Sequence, residues 1–269
     1  MSIIKNSFEK MNISKIKTAK NIKKLTMITA YDALFAKLFE EIADIILVGD
    51  SLNMSFAGKP DTLSATLDQM IYHTNAVCTG APNAFVVLDM PFGTYINKDE
   101  ALTNAVKVYR QTNASAIKIE GGEDKADIVK HLTSNSIAVM GHIGLMPQYV
   151  RSEGGYKVRG KTKEDIEQLI RDAIAIEKAG AFCIVVEGVM SNAAKRITEA
   201  VNIPIIGIGA GNVTDGQVLV WSDMLGFFEN FKPKFVRHYL DGAKLVKESV
   251  SKYKQDVQNG SFPSKEEEY

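Results

Sequence analysis

The segment AFVVLDMP, residues 84–91, is a short β-branched hydrophobic run that ends in an acidic residue. The segments IILVGDS (45–51) and AIKIEGG (116–122) have the same form. Longer amphipathic segments lie between these runs, and this alternation is typical of βα units built around a parallel sheet. The pattern therefore predicts an α/β fold in which successive strands each end in an acid.

Seven strands and six helices of this kind can be placed along the chain. The predicted strands cover residues 25–30, 45–48, 84–88, 116–119, 137–140, 182–186 and 203–208, and an eighth is expected near 221–228. The predicted helices cover residues 31–42, 67–80, 99–112, 125–134, 162–179 and 191–200. Eight units in 269 residues favour a (β/α)8 TIM barrel over an open doubly wound sheet, which stays the alternative.

The whole chain, residues 1–269, is expected to form a single barrel domain, because no Pro- or Ser-rich linker divides it. Residues 1–23 are a short N-terminal extension. An amphipathic region follows Pro233 and runs to about residue 254, and the polar tail 260–269 is expected to be frayed or packed on a neighbouring subunit.

Composition excludes several classes of protein. With 45% hydrophobic and 24% charged residues the chain can bury a large core, which excludes a disordered protein. The 32 basic and 32 acidic residues give no net charge, so nucleic acid is not an expected partner. Cys78 and Cys183 are too far apart for a CxxC pair and are expected to be reduced core thiols. No apolar stretch is long enough for a membrane span, and a cytoplasmic protein is expected.

The acids that end three consecutive strands are the first candidates for a functional site. Asp50, Asp89 and Glu120 each follow an apolar run, and the carboxyl ends of barrel strands share one mouth. Taken singly, Asp50, Asp89 or Glu187 would more often be a helix cap or a loop acid than a ligand. Crowded together, Asp50, Asp89 and Glu120 repel one another unless a cation joins them, and all-oxygen ligands favour Mg²⁺ over Zn²⁺.

Further candidates lie at the same ends of the strands. Lys118 is two residues before Glu120, so both side chains point to the same side of the strand, where the lysine could hold a substrate oxyanion. Glu187 follows an apolar run as an unpaired acid and is placed as a general base. His142 is more often a hydrogen-bonded core or rim residue, although its position allows substrate contact. The GIGAG run at 207–211 lacks the full GxGxxG spacing and is a weak dinucleotide signal.

The chain resembles the ketopantoate hydroxymethyltransferase family over residues 24–262. The resemblance is carried by the segments TAYD (29–32), VGDS (48–51), YH (72–73), DMPF (89–92), KIEGG (118–122), GHIGL (141–145), GGYKVRG (154–160), VEG (186–188) and GIGAGN (207–212). Each segment alone is weak evidence for the family, but together the segments are highly specific. The sequence departs from the family pattern at Asn53, at 64–66 and at Gly188.

The resemblance implies a barrel of the phosphoenolpyruvate/pyruvate superfamily type, assembled as a homodecamer. It implies transfer of a hydroxymethyl unit from the co-substrate 5,10-methylenetetrahydrofolate to 3-methyl-2-oxobutanoate, giving 2-dehydropantoate and tetrahydrofolate, at the start of pantothenate synthesis. One Mg²⁺ per subunit would assist enolisation.

The implied roles fall on residues already singled out. The motif positions make Asp50, Asp89 and Glu120 the metal ligands and Glu187 the proton acceptor. The oxoacid-binding set is Asp50, Ser51, Asp89 and Lys118. Two other functions stay open: another Mg²⁺-dependent lyase or mutase of the superfamily, and a non-catalytic oxoacid-binding barrel.

Overall fold

Eight parallel strands form a closed barrel in the computed structural model, which describes residues 10–229 and 232–269. The strands pair in chain order, and β8 pairs with β1 to close the barrel. They are β1 (Leu25–Thr29), β2 (Ile45–Val48), β3 (Val86–Asp89), β4 (Ala116–Glu120), β5 (Val139–Gly144), β6 (Cys183–Glu187), β7 (Ile205–Ile208) and β8 (Gly216–Leu219). The predicted fold class is confirmed.

Helices follow most strands. They are α1 (Ile13–Thr18), α2 (Ala33–Phe39), α3 (Leu52–Ser55), α4 (Leu67–Gly80), α5 (Lys98–Gln111), α6 (Ala126–Ser134), α7 (Lys163–Lys178), α8 (Ser191–Ala200), α9 (Trp221–Met224) and α10 (Gly242–Asn259). Glu123–Lys125 and Pro147–Tyr149 form 3₁₀ turns. The six predicted helices are all present, and α4 and α8 have the predicted bounds.

The seven strands predicted from apolar runs are confirmed, with β5 extending four residues beyond its predicted end at 140. The predicted eighth strand is wrong. Residues 221–224 form a helix, and β8 is Gly216–Leu219. This strand begins with glycine, includes the exposed Gln217 and has only four residues, so it lacks the apolar run that marked the other seven strands.

The barrel interior is apolar at its amino end and polar at its carboxyl end. Alternate residues of each strand point inward, so Ala116 joins the buried apolar cluster while Lys118 and Glu120 lie further along the same side of β4. Ile16 of α1 belongs to the same buried cluster. This helix lies within the predicted N-terminal extension, whose residues 1–9 are outside the described residues.

The chain divides into two compact units, Met1–Leu219 and Val220–Tyr269. All eight strands lie in the first unit, so the barrel is complete by Leu219. The second unit contains α9 and α10, and α10 confirms the amphipathic region that the sequence predicts after Pro233. The described residues of the tail 260–269 are exposed. No helix in the described parts of the chain is long and apolar enough to cross a membrane.

Candidate active site at the carboxyl end of the barrel

The turn after β2 delivers Asp50 and Ser51 to the barrel mouth. Gly49 lets the chain turn closely here, because a Cβ at this position would lie 2.8 Å from Ser51 Oγ. The Asp50 side chain is buried, and its backbone N–H donates to Asp89 Oδ2 at 3.3 Å. The Ser51 hydroxyl is hydrogen bonded to the Tyr31 hydroxyl at 2.9 Å. Asp50 and Asp89 are therefore linked directly, whereas Ser51 lies towards β1.

Strand register places the lysine beside the second acid. Asp89, the last residue of β3, is paired with Lys118 of β4. Lys118 Nζ lies 2.7 Å from Asp89 Oδ1 and 4.0 Å from Glu120 Oε1. All three side chains are at most 4% exposed. The site therefore buries an ammonium group among carboxylates, as the alternation along β4 predicts.

His142 connects this cluster to Glu187. Register pairs Glu120 with His142, and His142 Nδ1 lies 3.5 Å from Glu120 Oε1 and 3.2 Å from Lys118 Nζ. The other ring nitrogen, Nε2, lies 3.4 Å from Glu187 Oε2. The expectation that Glu187 is unpaired is therefore wrong, because the register of β5 against β6 brings the histidine to it.

Gln148 and Tyr95 belong to the site and were missed in the sequence. Gln148 Nε2 donates to Asp50 Oδ2 at 2.9 Å and to the Met90 carbonyl at 3.0 Å. Its backbone N–H donates to Glu120 Oε2 at 3.0 Å, and its Oε1 accepts from the Tyr95 hydroxyl at 2.5 Å. Both residues come from loops without a distinguishing motif, so no local signal in the sequence pointed to them.

Burial and the charges of neighbouring acids set the pKa values of Asp50 and Asp89. Burial raises the pKa of Asp50 well above its ordinary value, and the charges of Asp89 and Glu120 raise it further. Burial also raises the pKa of Asp89, which outweighs the opposing effect of Lys118. Both aspartates thus carry unfavourable charge that a further cation would relieve.

Neighbouring charges oppose the effect of burial on the pKa values of the remaining groups. Burial works to raise the pKa of Glu120, but the His142 ring and Lys118 hold it below its ordinary value. Burial works to lower the pKa of Lys118, and the surrounding carboxylates raise it overall. Burial and Lys118 lower the pKa of His142, yet Glu120 and Glu187 bring it to about 9.

Two departures from the family pattern contact each other. Asn53 Nδ2 donates to Ser64 Oγ at 2.9 Å and to the Asp61 carbonyl at 2.7 Å, so the asparagine and the serine together hold the loop before α4. The third departure, Gly188, has a φ of +56°, and a Cβ there would lie 2.8 Å from Leu145 Cβ. Glycine thus suits the backbone that follows Glu187.

Both cysteines are free and buried, as predicted. Burial raises the pKa of the Cys78 thiol to about 11 and also raises that of Cys183, which lies at the start of β6. Neither thiol is at a strand's carboxyl end, where the site lies.

The closed parallel barrel with charged side chains at its carboxyl mouth defines an enzyme of the TIM-barrel class. Solved structures share this fold at low sequence identity. Phosphonopyruvate hydrolase matches with a TM-score of 0.62 and 13% identity, covering 96% of this chain and 93% of that one. 2,3-Dimethylmalate lyase, a PEP mutase/isocitrate lyase superfamily member, matches with a TM-score of 0.61 and 16% identity, covering 91% and 88%.

Sequence comparison identifies the family. The family model described as ketopantoate hydroxymethyltransferase matches residues 10–265. A protein named 3-methyl-2-oxobutanoate hydroxymethyltransferase from Aliarcobacter butzleri is 85% identical over 269 residues, 100% of both chains. Proteins of the same name are 66% identical in Nitratiruptor sp., over 96% of this chain and 98% of that protein, and 52% identical in Helicobacter pylori, over 100% of both. The chain belongs to the ketopantoate hydroxymethyltransferase family and is a transferase.

Proposed function

We propose that this chain transfers a hydroxymethyl unit from 5,10-methylenetetrahydrofolate to 3-methyl-2-oxobutanoate, giving 2-dehydropantoate and tetrahydrofolate in pantothenate synthesis. Water supplies the hydroxyl oxygen of the product. The names of the relatives support the oxoacid as acceptor. The chemistry of the barrel mouth supports enolisation assisted by Mg²⁺, one ion per subunit, held by Asp50, Asp89 and Glu120.

The donor set fits a hard divalent cation. One oxygen of each carboxylate is held by an N–H group: Asp50 Oδ2 by Gln148 Nε2, Asp89 Oδ2 by the Asp50 backbone, and Glu120 Oε2 by the Gln148 backbone. Glu120 Oε1 is buried and accepts no hydrogen bond from the described residues. Buried carboxylate oxygens are the ligands that Mg²⁺ prefers.

The described residues contain no group of three His, Cys, Asp or Glu side chains already gathered around one ion position. The fit therefore rests on the chemistry of the donors and on Glu120 Oε1, which accepts no hydrogen bond from the described residues although it lies 3.5 Å from His142 Nδ1. This buried Glu120 oxygen, beside two aspartates with raised pKa values, is the observation that carries the proposal.

The residues divide the chemistry between them. Mg²⁺ supplies Lewis-acid polarisation of the keto oxygen when bound. Glu187 accepts the proton from C3 of the oxoacid, and the electron pair of that C–H bond moves towards the keto group. Lys118 and Ser51 hold the oxoacid's carboxylate and keto oxygens. C3 then forms a bond to the methylene carbon, and water forms the second new bond to that carbon as the hydroxyl group. The two bonds from that carbon to the folate nitrogens break, and the nitrogens take up the two protons released from C3 and from water.

His142 lies beside the base. Its Nε2 lies 3.4 Å from Glu187 Oε2 and its Nδ1 lies 3.5 Å from Glu120 Oε1, so the ring stands between the Glu187 carboxylate and the metal-binding set. The Glu187 side chain keeps 22% of its surface exposed, which leaves it open to the mouth. Direct contact of His142 with substrate stays a prediction.

The reaction is tested by mass spectrometry on purified protein with oxoacid, 5,10-methylenetetrahydrofolate and Mg²⁺. We expect 2-dehydropantoate that disappears when EDTA is added. In D₂O without folate, we expect deuterium at C3 of the oxoacid, because proton removal precedes carbon transfer. Folded, Mg²⁺-treated protein that gives neither product nor deuterium exchange would contradict the proposal.

The family resemblance also implies a homodecamer working in the cytoplasm. We propose both the homodecamer and the cytoplasmic location, and native mass spectrometry tests the homodecamer. A decamer would support it, whereas a stable monomer or dimer at micromolar concentration would contradict it.

A further inference from the structure

Every hydrogen-bonding atom of the Gln148 side chain is used. The two hydrogens of Nε2 reach Asp50 Oδ2 and the Met90 carbonyl, and Oε1 accepts from the Tyr95 hydroxyl. The Gln148 side chain is buried, with 4% of the residue exposed. A glutamine amide has two donor hydrogens and one acceptor oxygen, so this environment satisfies it completely.

The surroundings permit only one orientation of this amide. A flipped amide would place its oxygen against the Asp50 carboxylate and the Met90 carbonyl, which are both acceptors. The Tyr95 hydroxyl in turn accepts from the Glu120 backbone N–H at 3.3 Å, so its own hydrogen is directed to Gln148 Oε1. The donor face of the amide is thereby turned to Asp50.

The backbone of Gln148 acts on a second carboxylate. Its N–H donates to Glu120 Oε2, while Glu120 Oε1 accepts no hydrogen bond from the described residues. One residue in the 3₁₀ turn after β5 therefore engages one oxygen of Asp50 and one of Glu120. The other oxygen of each carboxylate is not engaged by Gln148.

We infer that Gln148 is a positioning residue that selects which oxygens of Asp50 and Glu120 are presented to a divalent cation, with Tyr95 fixing the orientation of its amide. This inference rests on the proposed Mg²⁺ site. Gln148 touches neither substrate nor the ion in this role. It acts by holding the carboxylates that do, as hydrogen-bonded partners of metal ligands commonly act.

The test is calorimetric titration of Mg²⁺, and separately Mn²⁺, into metal-free protein without substrates. Gln148→Met keeps nearly the same volume and the backbone N–H but removes the donors to Asp50. We expect it to bind Mg²⁺ roughly 10- to 100-fold more weakly, the loss typical of such partners. Tyr95→Phe keeps Gln148 but leaves its Oε1 without a donor and so loosens the amide, and we expect a smaller loss in the same direction.

Gln168→Met is the matched control. Gln168 Nε2 also donates to an aspartate, Asp172 Oδ1, at 2.9 Å, but on α7. We expect this variant to bind Mg²⁺ with the wild-type Kd. Thermal melting of each metal-free variant measures packing separately from ion affinity.

The outcomes separate the inference from the proposed function. Wild-type Mg²⁺ affinity in a folded Gln148→Met protein would overturn the inference and leave the proposed function standing. If Gln148→Met fails to fold, an unchanged Kd in Tyr95→Phe overturns it. Wild-type protein that binds neither ion would overturn the proposed Mg²⁺ site and the inference with it. Weaker binding in a folded Gln148→Met protein, or in Tyr95→Phe where Gln148→Met does not fold, supports the inference when the control is unchanged.

Discussion

Both ends of the barrel bury charged side chains, but in different states. At the amino end Lys20 Nζ lies 2.8 Å from Asp215 Oδ2 and also donates to the Thr198 carbonyl at 2.7 Å. Asp215 Oδ2 accepts from the Ile205 backbone at 2.9 Å and Oδ1 from the Asn21 backbone at 3.3 Å. The charges cancel, and both carboxylate oxygens have donors.

At the carboxyl end the acids outnumber the cations. Asp50, Asp89 and Glu120 surround Lys118, and one oxygen of Glu120 accepts no hydrogen bond from the described residues. A closed pair of the first kind leaves no buried charge uncompensated, whereas an unbalanced cluster of the second kind is costly until a ligand joins it. TIM barrels generally separate stability and activity between these two faces in this way.

Among these variants, Glu187→Gln should have the largest effect, and this effect should be on activity alone. Loss of the proton acceptor should lower folate-free deuterium exchange at C3 by about 10²- to 10⁴-fold, while oxoacid and Mg²⁺ binding persist. Exchange is followed by mass spectrometry, and the exposed Glu164→Gln serves as control. Wild-type exchange in Glu187→Gln would disprove its role as the base.

Lys20→Met should have the opposite effects: it should lower stability and leave activity unchanged. Removing the lysine leaves Asp215 buried without its cation, so the free energy of unfolding should fall by about 3–5 kcal/mol. The rate per folded molecule should stay unchanged, because the pair lies at the other end of the barrel. Urea unfolding and the product assay measure the two quantities.

The neighbouring Lys23→Met is the control for this prediction. Lys23 forms an exposed pair with Asp44, in which the lysine side chain is 53% exposed, so its loss should cost at most about 1 kcal/mol. If Lys20→Met and Lys23→Met lower the free energy of unfolding equally, the contrast between the buried and the exposed pair is contradicted.

A smaller effect should appear in the pH dependence of stability. The raised pKa of Asp50 means that the folded, metal-free chain holds this proton more tightly than the unfolded chain. Its contribution to the free energy of unfolding therefore decreases as pH rises from about 4, the unfolded carboxyl value, through the raised folded value.

Asp50→Asn removes this contribution, so the variant should gain stability relative to wild type as pH rises across that window. Urea unfolding of both proteins in EDTA at a series of pH values measures the difference. A difference that stays constant with pH would contradict the raised pKa.

Strand periodicity predicts much of this site. The alternation along β4 placed Lys118 and Glu120 on one side of the strand, and the end of β3 placed Asp89 beside them. The contact between His142 and Glu187 depends on the register of two strands, which local periodicity does not specify. The strand β8 escaped prediction because its four residues, GQVL, carry no apolar run.

Residues on loops were harder to predict than residues on strands. Gln148 reaches the acids from the turn after β5, and Tyr95 from the loop after β3. Their roles come from where the folded chain brings these loops together, and neither has a spacing motif that marks it in the sequence.

The proposed cation site at the carboxyl mouth is tested by the stoichiometry of Mg²⁺ binding to metal-free protein, measured by titration calorimetry on wild type and Asp50→Asn. We expect one ion per chain in the wild type and a large loss of affinity in Asp50→Asn protein that remains folded. Wild-type protein that binds no ion, or Asp50→Asn protein that binds it equally well, would contradict the claim that the charge excess at the carboxyl mouth is a cation site.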